Sequence, residues 1–255
     1  MKRIRTILKE KWPEYILEIL VITLGILGAY ALNNWNELSK AKAQEKDYIV
    51  RLIEDLNKDI ANVNLEKTNA QKRLDEAKNI YEIITTDQPQ IEDTSRFIVA
   101  IQMIGRTNRP RIHSDTFEDL ISTGNVNIIQ NKALFNQTSS YYNNIPFEWF
   151  AEYIDRMWKG YLPLGIDALS LETLLQILEQ ESKNGLDTNE IEKINLEISK
   201  KEMQKVLDKI LDSKEFEFET KNIARSHFLH ISMLDKIQVA AEQVIEDLNT
   251  YLESL

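Results

Sequence analysis

Three histidines are the residues of this chain best suited to acid–base chemistry or metal binding: His113, His227 and His230. The last two are three positions apart, so a helix would place both imidazoles on one face. Together with His113 or a carboxylate such as Glu118 they could bind a divalent metal ion. The hydrophobic repeat around His227 and His230 explains both rings as packing residues, so we expect no metal site. Packed rings predict a loss of stability when they are protonated near pH 6.

Other patterns for catalysis or ligand binding are incomplete. Gly160 and Gly165 have the glycine spacing of a phosphate-binding loop, but Ile166 and Asp167 follow where Lys and Ser or Thr are required. We therefore predict an ordinary loop there. The chain has no Cys, which excludes disulfides, thiolate metal sites and thiol catalysis. Its acidic residues follow the outer positions of predicted helices, where a solvated face is the usual explanation. We expect neither an enzyme nor a bound cofactor.

The composition favours an all-α fold. Only 7 Gly and 5 Pro occur among 255 residues, which is too few turn formers for a sandwich or a barrel. The 43% of hydrophobic residues is enough to build a core. Residues 1–14 carry a local charge of +3, so a formal net charge of −10 leaves −13 on the remainder. Such a body repels nucleic-acid phosphates, and we expect no nucleic-acid partner.

The N-terminal region predicts a single transmembrane helix at residues 15–35. Glu18 is its one charged residue, and the segment is the most apolar of the chain. Trp12 and Trp35 are 23 positions apart, about 35 Å along a helix. They would anchor the helix at the two interfaces of a bilayer whose hydrocarbon core is about 30 Å thick.

The charges around this segment predict its orientation. Residues 1–14 form a basic head, which favours a cytoplasmic N-terminus and a periplasmic body in the bacterial inner membrane. A buried helix of a soluble protein is one alternative. A cleaved signal peptide is the other, because residues 29–31, Ala-Tyr-Ala, fit a small-x-small cleavage site.

One face of the predicted membrane helix has the pattern of a helix contact. It contains Glu18, Ile22, Gly25 and Ala29. The Gly-x-x-x-Ala spacing would let a second helix approach closely, so the partner would be a second copy or another envelope membrane protein, within membrane lipid. Alternatively, Glu18 extends to the headgroups and has no protein partner.

Residues 36–88 predict a long stalk helix. From Ile49 onward its core positions repeat every seven residues, which predicts lengthwise helix packing. They form two columns: Ile49, Leu56, Val63, Ala70, Ala77 and Ile84, and Ile53, Ile60, Lys67, Leu74 and Tyr81. No Gly or Pro occurs between Gly28 and Pro89, so this helix would continue directly from the membrane helix and end near Thr86.

Residues 191–255 predict C-terminal helices that pack back on the stalk helix. Their core columns are Phe216, Ile223, His230, Ile237, Val244 and Tyr251, and Thr220, His227, Leu234, Ala241, Leu248 and Leu255. Ser213 is the predicted N-cap. An antiparallel pair in register would place His230 beside Ala70, and a parallel homo-oligomeric coiled coil is the alternative. The expected architecture is therefore an elongated, coiled-coil-like helical bundle outside the membrane.

Residues 89–190 predict a distal helical head. Ser114 to Gly124 predicts a short capped helix, another helix begins near Asn131, and residues 182–190 predict an exposed loop.

Aromatic residues are concentrated in residues 141–161, which contain eight of the chain's 21. Packing in a core or between helices is the ordinary explanation, and a partner surface or a ligand pocket is the alternative. The residues of that possible surface are Tyr141, Tyr142, Trp149, Tyr153 and Trp158.

Several short stretches carry a family resemblance. They are Glu18–Leu32 followed by residues 33–37, Asn-Asn-Trp-Asn-Glu; Leu52–Leu56; Phe117–Leu120 with Thr123 and Gly124; and Ile128–Asn131. Together they resemble a bacterial family of uncharacterised single-pass membrane proteins, most strongly in the N-terminal signature. The resemblance implies a basic head, one membrane helix containing a glutamate, and a helical domain of unknown function. It implies no enzymatic activity and no catalytic residue.

These observations lead to two functional hypotheses. The first is a membrane-anchored helical scaffold or accessory subunit that mediates protein–protein contacts in the bacterial envelope without catalysis. The alternative is an extracytoplasmic helical domain that senses a ligand and signals through a partner membrane protein.

Overall fold

The computed structural model describes residues 2–87, 89–184 and 193–255, with the side chains of residues 12–87, 89–183 and 193–255. All regular secondary structure in these ranges is helical, as predicted. The α-helices are α1 (Lys2–Thr85), α2 (Thr94–Met103), α3 (Asp115–Ser122), α4 (Lys132–Asn143), α5 (Phe147–Arg156), α6 (Leu162–Ala168), α7 (Leu171–Asn184), α8 (Lys200–Leu211) and α9 (Lys214–Ser254). A 3₁₀ turn (Asn125–Asn127) precedes α4, and a π-helical turn (Met157–Tyr161) joins α5 to α6.

Helix α1 runs without interruption from the apolar N-terminal segment into the body. Residues 12–44 are exposed throughout, and burial begins at Glu45. An 18-residue window of this helix has a mean hydropathy of 2.1, so α1 is long and apolar enough to cross a membrane. Elsewhere in the described chain, residues 132–168 with residues 171–183 pass the same test only as a pair bent by 112°.

Helix α9 lies antiparallel to α1. Near one end of the pair, the Tyr251 hydroxyl donates to Glu45 Oε1 at 2.8 Å. Further along, Lys67 Nζ contacts Asp235 Oδ1 at 2.6 Å. The N-terminus of α9 is capped by Ser213, whose hydroxyl accepts from the Phe216 amide, which confirms the predicted cap.

The burial of the two long helices agrees with the heptad pattern on α9 and only partly on α1. Every predicted core residue of α9 from Phe216 to Leu248 is buried. On α1 the first column is buried from Ile49 to Ala77, but in the second only Leu74 is buried. A further stripe of α1 is buried instead: Glu45, Leu52, Asp55, Asp59, Glu66, Asn69, Arg73, Glu76 and Ile80. The expectation that acidic residues lie on solvated faces is therefore wrong for five acids, because other helices cover this second face.

Two apolar cores follow one another along the α1–α9 pair. The proximal core, nearer the exposed N-terminal segment, joins residues 49–63 of α1 and 234–248 of α9 to residues 117–150. The distal core joins Ala77 and Ile80 to α2, residues 153–177, α8 and the start of α9. Residues 117–150, assigned by the sequence to a distal head, thus pack beside the proximal half of the pair, where their apolar side chains are buried.

Two predicted loops differ in the structure. The segment from Gly160 to Gly165 is helical, because it forms the end of the π-helical turn and most of α6. Pro163 is compatible with this helix because it lies in the first turn, where no backbone hydrogen bond needs its missing N–H. Residues 182–184 belong to the end of α7, and residues 185–190 of the second predicted loop lie outside the described residues.

Close packing in the distal core predicts that Gly105→Ala destabilises the protein. A Cβ at position 105 would lie 2.8 Å from Cδ1 of Tyr161. The Tyr161 ring cannot move away easily, because it is fully buried and its hydroxyl donates to Ile101 O at 2.9 Å. We expect a loss of about 1–3 kcal/mol of unfolding free energy, measured by chemical denaturation. Gly28→Ala is the control, since its Cβ would meet nothing within 4 Å; equal stability of both variants would contradict the prediction.

Candidate functional site

The aromatic residues of α4 and α5 lie mostly inside the body. Tyr141, Tyr142 and Tyr153 are buried, and Trp149 is half-buried against both cores. The three tyrosine rings fill the interior, as the ordinary packing explanation expected, so they do not form an exposed partner surface. Tyr141 also lines an open cavity of about 440 Å³, and a ligand pocket there stays a prediction. Trp158 is exposed, with 61% of its surface accessible.

The predicted membrane residues all lie on the exposed part of α1, remote from the body. They are Trp12, Glu18, Ile22, Gly25, Ala29 and Trp35. Around Gly25 no atom lies within 4 Å of the position that a Cβ would take, apart from the helix itself. The described chain thus leaves this face open.

A polar layer separates the two apolar cores. It consists of Glu66, Asn69 and Arg73 on α1, and of His227 and His230 on α9, all buried. Helical spacing explains the arrangement: positions 66, 69 and 73 share one face of α1, and positions 227 and 230 share one face of α9. Sequence reasoning missed the α1 half of the layer. The signal was present as polar residues three or four positions apart, parallel to the apolar column.

The charges of the polar layer are paired. Arg73 Nη1 donates to Glu66 Oε1 at 2.9 Å, and both side chains are almost fully buried. His230 Nε2 lies 3.4 Å from the same carboxylate oxygen, one helical turn before Ala70, the neighbour expected from the sequence. The pairing matters because desolvating a lone carboxylate or guanidinium would cost several kcal/mol.

Aromatic rings of α5 cover the polar layer. Trp149, Tyr153 and His230 lie nearly parallel, with ring centroids 4.6 to 5.9 Å apart. Phe150 meets the His230 ring edge-on at 5.5 Å. These contacts explain how an imidazole is accommodated between two apolar cores.

His227 is held neutral by its surroundings. Its Nε2 lies 2.8 Å from Ile104 O, a pure acceptor, so this nitrogen carries the proton, and Nδ1 accepts from the Tyr153 hydroxyl at 2.7 Å. Burial lowers the pKa of His227 to about 3, although the hydrogen bond to Ile104 opposes the shift. The ring therefore stays neutral near pH 6 in the folded protein, and the acid sensitivity expected from the sequence would arise because the unfolded chain takes up the proton.

Two further buried acids of α1 anchor the segment that precedes and begins α3. Asp59 Oδ1 accepts from the His113 amide at 2.6 Å, and Asp59 Oδ2 accepts from the Tyr141 hydroxyl at 3.0 Å. Burial raises the pKa of the Asp59 carboxyl, and these hydrogen bonds oppose the increase. Asp55 Oδ2 accepts from the amide and the hydroxyl of Thr116. Asp55 thus caps α3 from another helix.

The predicted cap and the hypothetical metal ligands at this segment have other partners. Ser114 occupies the N-cap position of α3 but makes no capping bond; its hydroxyl donates to Glu118. The His113 ring contacts Asp59 at 3.1 Å and does not join the other two histidines. Among the described residues, no group of three or more His, Cys, Asp or Glu side chains is arranged to hold a metal ion.

An open cleft of about 590 Å³ lies beside the polar layer. Its α1 wall includes Asn62, Glu66 and Asn69, and residues 107–111 form the opposite wall. A shallower depression of about 480 Å³ adjoins it, contains Trp158 and shares Arg109 and Ile154 with the cleft. The volume of the cleft is within the range of small-molecule sites. We therefore take the cleft as the candidate functional site of the body.

No protein-family model, no curated protein and no solved structure matches this chain.

The lowered pKa of His227 predicts that the free energy of unfolding falls at acidic pH. The pKa of His227 is about 3 in the folded protein, against 6.5 for an unperturbed histidine. Between these values the unfolded chain binds more protons, so this contribution to stability is complete above pH 6.5 and is lost as the pH falls towards 3. We expect a loss of about 2 kcal/mol between pH 7.5 and 5, measured by chemical denaturation. His227→Gln should remove that part of the pH dependence; an unchanged pH dependence would contradict the prediction.

The buried ion pair predicts strongly non-additive mutations. Glu66→Leu removes the carboxylate that lies 2.9 Å from the buried Arg73 guanidinium, and we expect a loss of about 3–5 kcal/mol. Glu66→Leu combined with Arg73→Met removes both charges and should recover at least half of that loss, as measured in a double-mutant cycle. The control pair is Glu179 and Lys183, whose charged atoms lie 2.7 Å apart on the exposed surface; solvent screens this pair, so its removal should have little effect. Additive effects of the two core mutations would contradict the prediction.

Proposed function

We propose that the protein is a membrane-anchored helical scaffold or accessory subunit of the bacterial envelope, without catalytic activity of its own. The observation that carries the proposal is the continuity of α1, which is one helix from the exposed apolar segment to the distal core. Its 84 residues correspond to about 125 Å. In this function, α1 holds the body at a fixed distance and orientation relative to the membrane.

The body supplies the rigidity that a scaffold needs. Helix α9 covers α1 from Glu45 onward, and both apolar cores include side chains from the two helices. Buried hydrogen bonds to Asp55 and Asp59 attach the connecting segments to the same helix. Bending of α1 within the body would therefore disrupt two cores.

The exposed segment supplies the membrane contact. Residues 15–35 would span the lipid, with Trp12 and Trp35 at its interfaces and the basic residues 1–14 in the cytoplasm. The body would then be periplasmic. The resemblance of the N-terminal signature to single-pass membrane proteins supports this placement.

The face with Glu18, Gly25 and Ala29 is the part of the anchor best suited to bind another helix. Nothing in the described chain covers it, and the absence of a side chain at Gly25 permits close backbone contact. A carboxylate such as Glu18 in lipid is expensive and favours a polar partner. We expect a second copy of this chain or another envelope membrane protein there.

Ligand sensing is the second candidate function. The cleft beside Asn69 favours it, because one wall of the cleft belongs to α1, the helix that would enter the membrane. A sensor with this architecture would transmit its signal through a partner membrane protein.

Cysteine cross-linking in native membranes tests the scaffold proposal. The chain has no Cys, so Gly25→Cys introduces a unique thiol on the proposed contact face. Leu27→Cys is the matched control, because it is exposed at nearly the same depth on the opposite side of the helix. After mild oxidation we expect at least about five-fold more cross-linked product for Gly25→Cys.

The products of this experiment discriminate between partners. A disulfide-linked dimer through position 25 supports self-association, and a heavier adduct identified by mass spectrometry supports a foreign membrane protein. No product at either position, equal yields at both, or a full-length chain absent from the membrane fraction would contradict the proposed membrane contact.

A further inference from the structure

We infer that the cleft beside Asn69 binds a small anionic ligand, a polar molecule that carries a carboxylate or phosphate group. This inference goes beyond the scaffold function, and it concerns a site in the body and not in the membrane helix. It rests on three observations: an amide without a partner in the cleft wall, two unpaired guanidinium groups in the opposite wall, and a buried acid that is already neutralised.

Asn69 is the unpartnered group. Only 8% of its surface is exposed, and its amide has no hydrogen-bond partner among the described residues. A side-chain amide offers two donors and one acceptor. Neither amide atom of Asn69 is among the fully buried side-chain atoms that lack a partner, so the amide is accessible from the cleft that it lines. The neighbouring amide of Asn62 is used, since its Nδ2 donates to Arg111 O at 2.9 Å. Asn69 therefore presents free hydrogen-bonding groups to whatever occupies the cleft.

Arg109 and Arg111 are the unpaired cations. Both are exposed, and in the described chain no carboxylate lies within 4 Å of either guanidinium. Arg106 of the same segment differs, because its guanidinium donates to Glu181 at 2.6 Å. Two free guanidinium groups at one cleft are unexpected in a body with an excess of acidic residues. Guanidinium groups bind carboxylates and phosphates with paired hydrogen bonds.

Glu66 does not make the net charge of the cleft negative. Although it lies in the cleft wall, its Oε1 already accepts from Arg73. The acid in the cleft wall is thus compensated, and Asp155 of the adjoining depression is paired with Lys159 at 2.7 Å. The remaining charges at the cleft are those of Arg109 and Arg111. This balance excludes a simple cation as the ligand and favours an anion.

The rest of the lining indicates the remaining chemistry of the ligand. Asn69 and Asn62 suit hydroxyl or amide groups, and Leu65 and Ile154 provide limited apolar contact. Trp158 in the adjoining depression offers a ring face next to Arg109. The site therefore suits a small organic acid or a phosphate ester with polar substituents.

Equilibrium dialysis tests the inference on the full chain in detergent. The probes are radiolabelled malonate and inorganic phosphate, which separate the carboxylate source from the phosphate source, and glucose is the neutral control. We expect saturable one-site binding of at least one anion, with a dissociation constant below about 10 mM. Binding should weaken when the salt concentration rises from about 50 to about 300 mM, because exposed charges are screened.

Variants assign the binding to the cleft. Arg109→Gln with Arg111→Gln should weaken anion binding at least about ten-fold, whereas Arg225→Gln, an arginine of α9 outside the cleft, should leave it unchanged. No saturable binding of either anion, or equal binding by wild type and the double variant, would overturn the inference.

Asn69→Leu tests the α1 wall. We expect it to weaken binding while its thermal midpoint without probe stays equal or rises, since an unpartnered amide is replaced by an apolar group. Wild-type affinity in this variant would contradict the role of Asn69. If Asn69→Leu does not fold, the exposed arginine variants decide the question. Cross-linking through position 25 does not depend on the cleft, so failure of one proposal leaves the other intact.

Discussion

The packing of α9 along residues 45–80 of α1 is the interaction on which the rest of the structure depends. An isolated helix of this length would expose a continuous apolar stripe to water, and α9 covers that stripe in both cores. The other helices complete these cores: α3 and α4 contribute to the proximal core, and α2, α7 and α8 contribute to the distal core. The shorter helices therefore pack around the α1–α9 pair. The position of the body along α1 depends on how α9 aligns with α1.

The polar layer gives that register a physical basis. Apolar side chains in a heptad pattern tolerate a shift of one repeat, since an apolar group still meets an apolar group. Glu66 and Arg73 both belong to α1 and keep their ion pair when the helices shift. A shift would separate Glu66 from His230 of α9, which lies 3.4 Å away, and would place the buried charges against apolar side chains of α9. The polar layer as a whole therefore favours the observed alignment of the two long helices over a shift of one heptad.

The sequence predicts which residues are buried on one face of each long helix. It does not predict the buried residues on the second face of α1. Heptad spacing identifies the α9 columns and the column from Ile49 to Ala77 because both are apolar, and periodicity is a reliable signal for apolar stripes. Asp59 and Glu66 were missed because a charged residue beside an apolar column is ordinarily solvated. Their burial depends on α3, α4 and α5 returning to the proximal half of α1, and this topology follows from long-range packing that no local pattern encodes. The cleft was missed for the same reason: Asn69 and Arg109 are 40 residues apart in sequence.

The structure also limits how the membrane segment and the cleft could influence each other. A ligand shifts a conformational equilibrium only by its difference in affinity for the two states. Sliding α1 along α9 would separate Glu66 from His230 and Lys67 from Asp235 and would disrupt both apolar cores, so an anion in the cleft would have to offset those losses to drive it. The segment at Arg109 and Arg111 lies at the surface and is attached to α1 by the Asn62 hydrogen bond to Arg111 O and by the Asp59 hydrogen bond to the His113 amide. Ligand binding is thus expected to order this surface segment against α1, and its effect would reach a partner protein as a change in the body's surface and not as movement of the membrane helix.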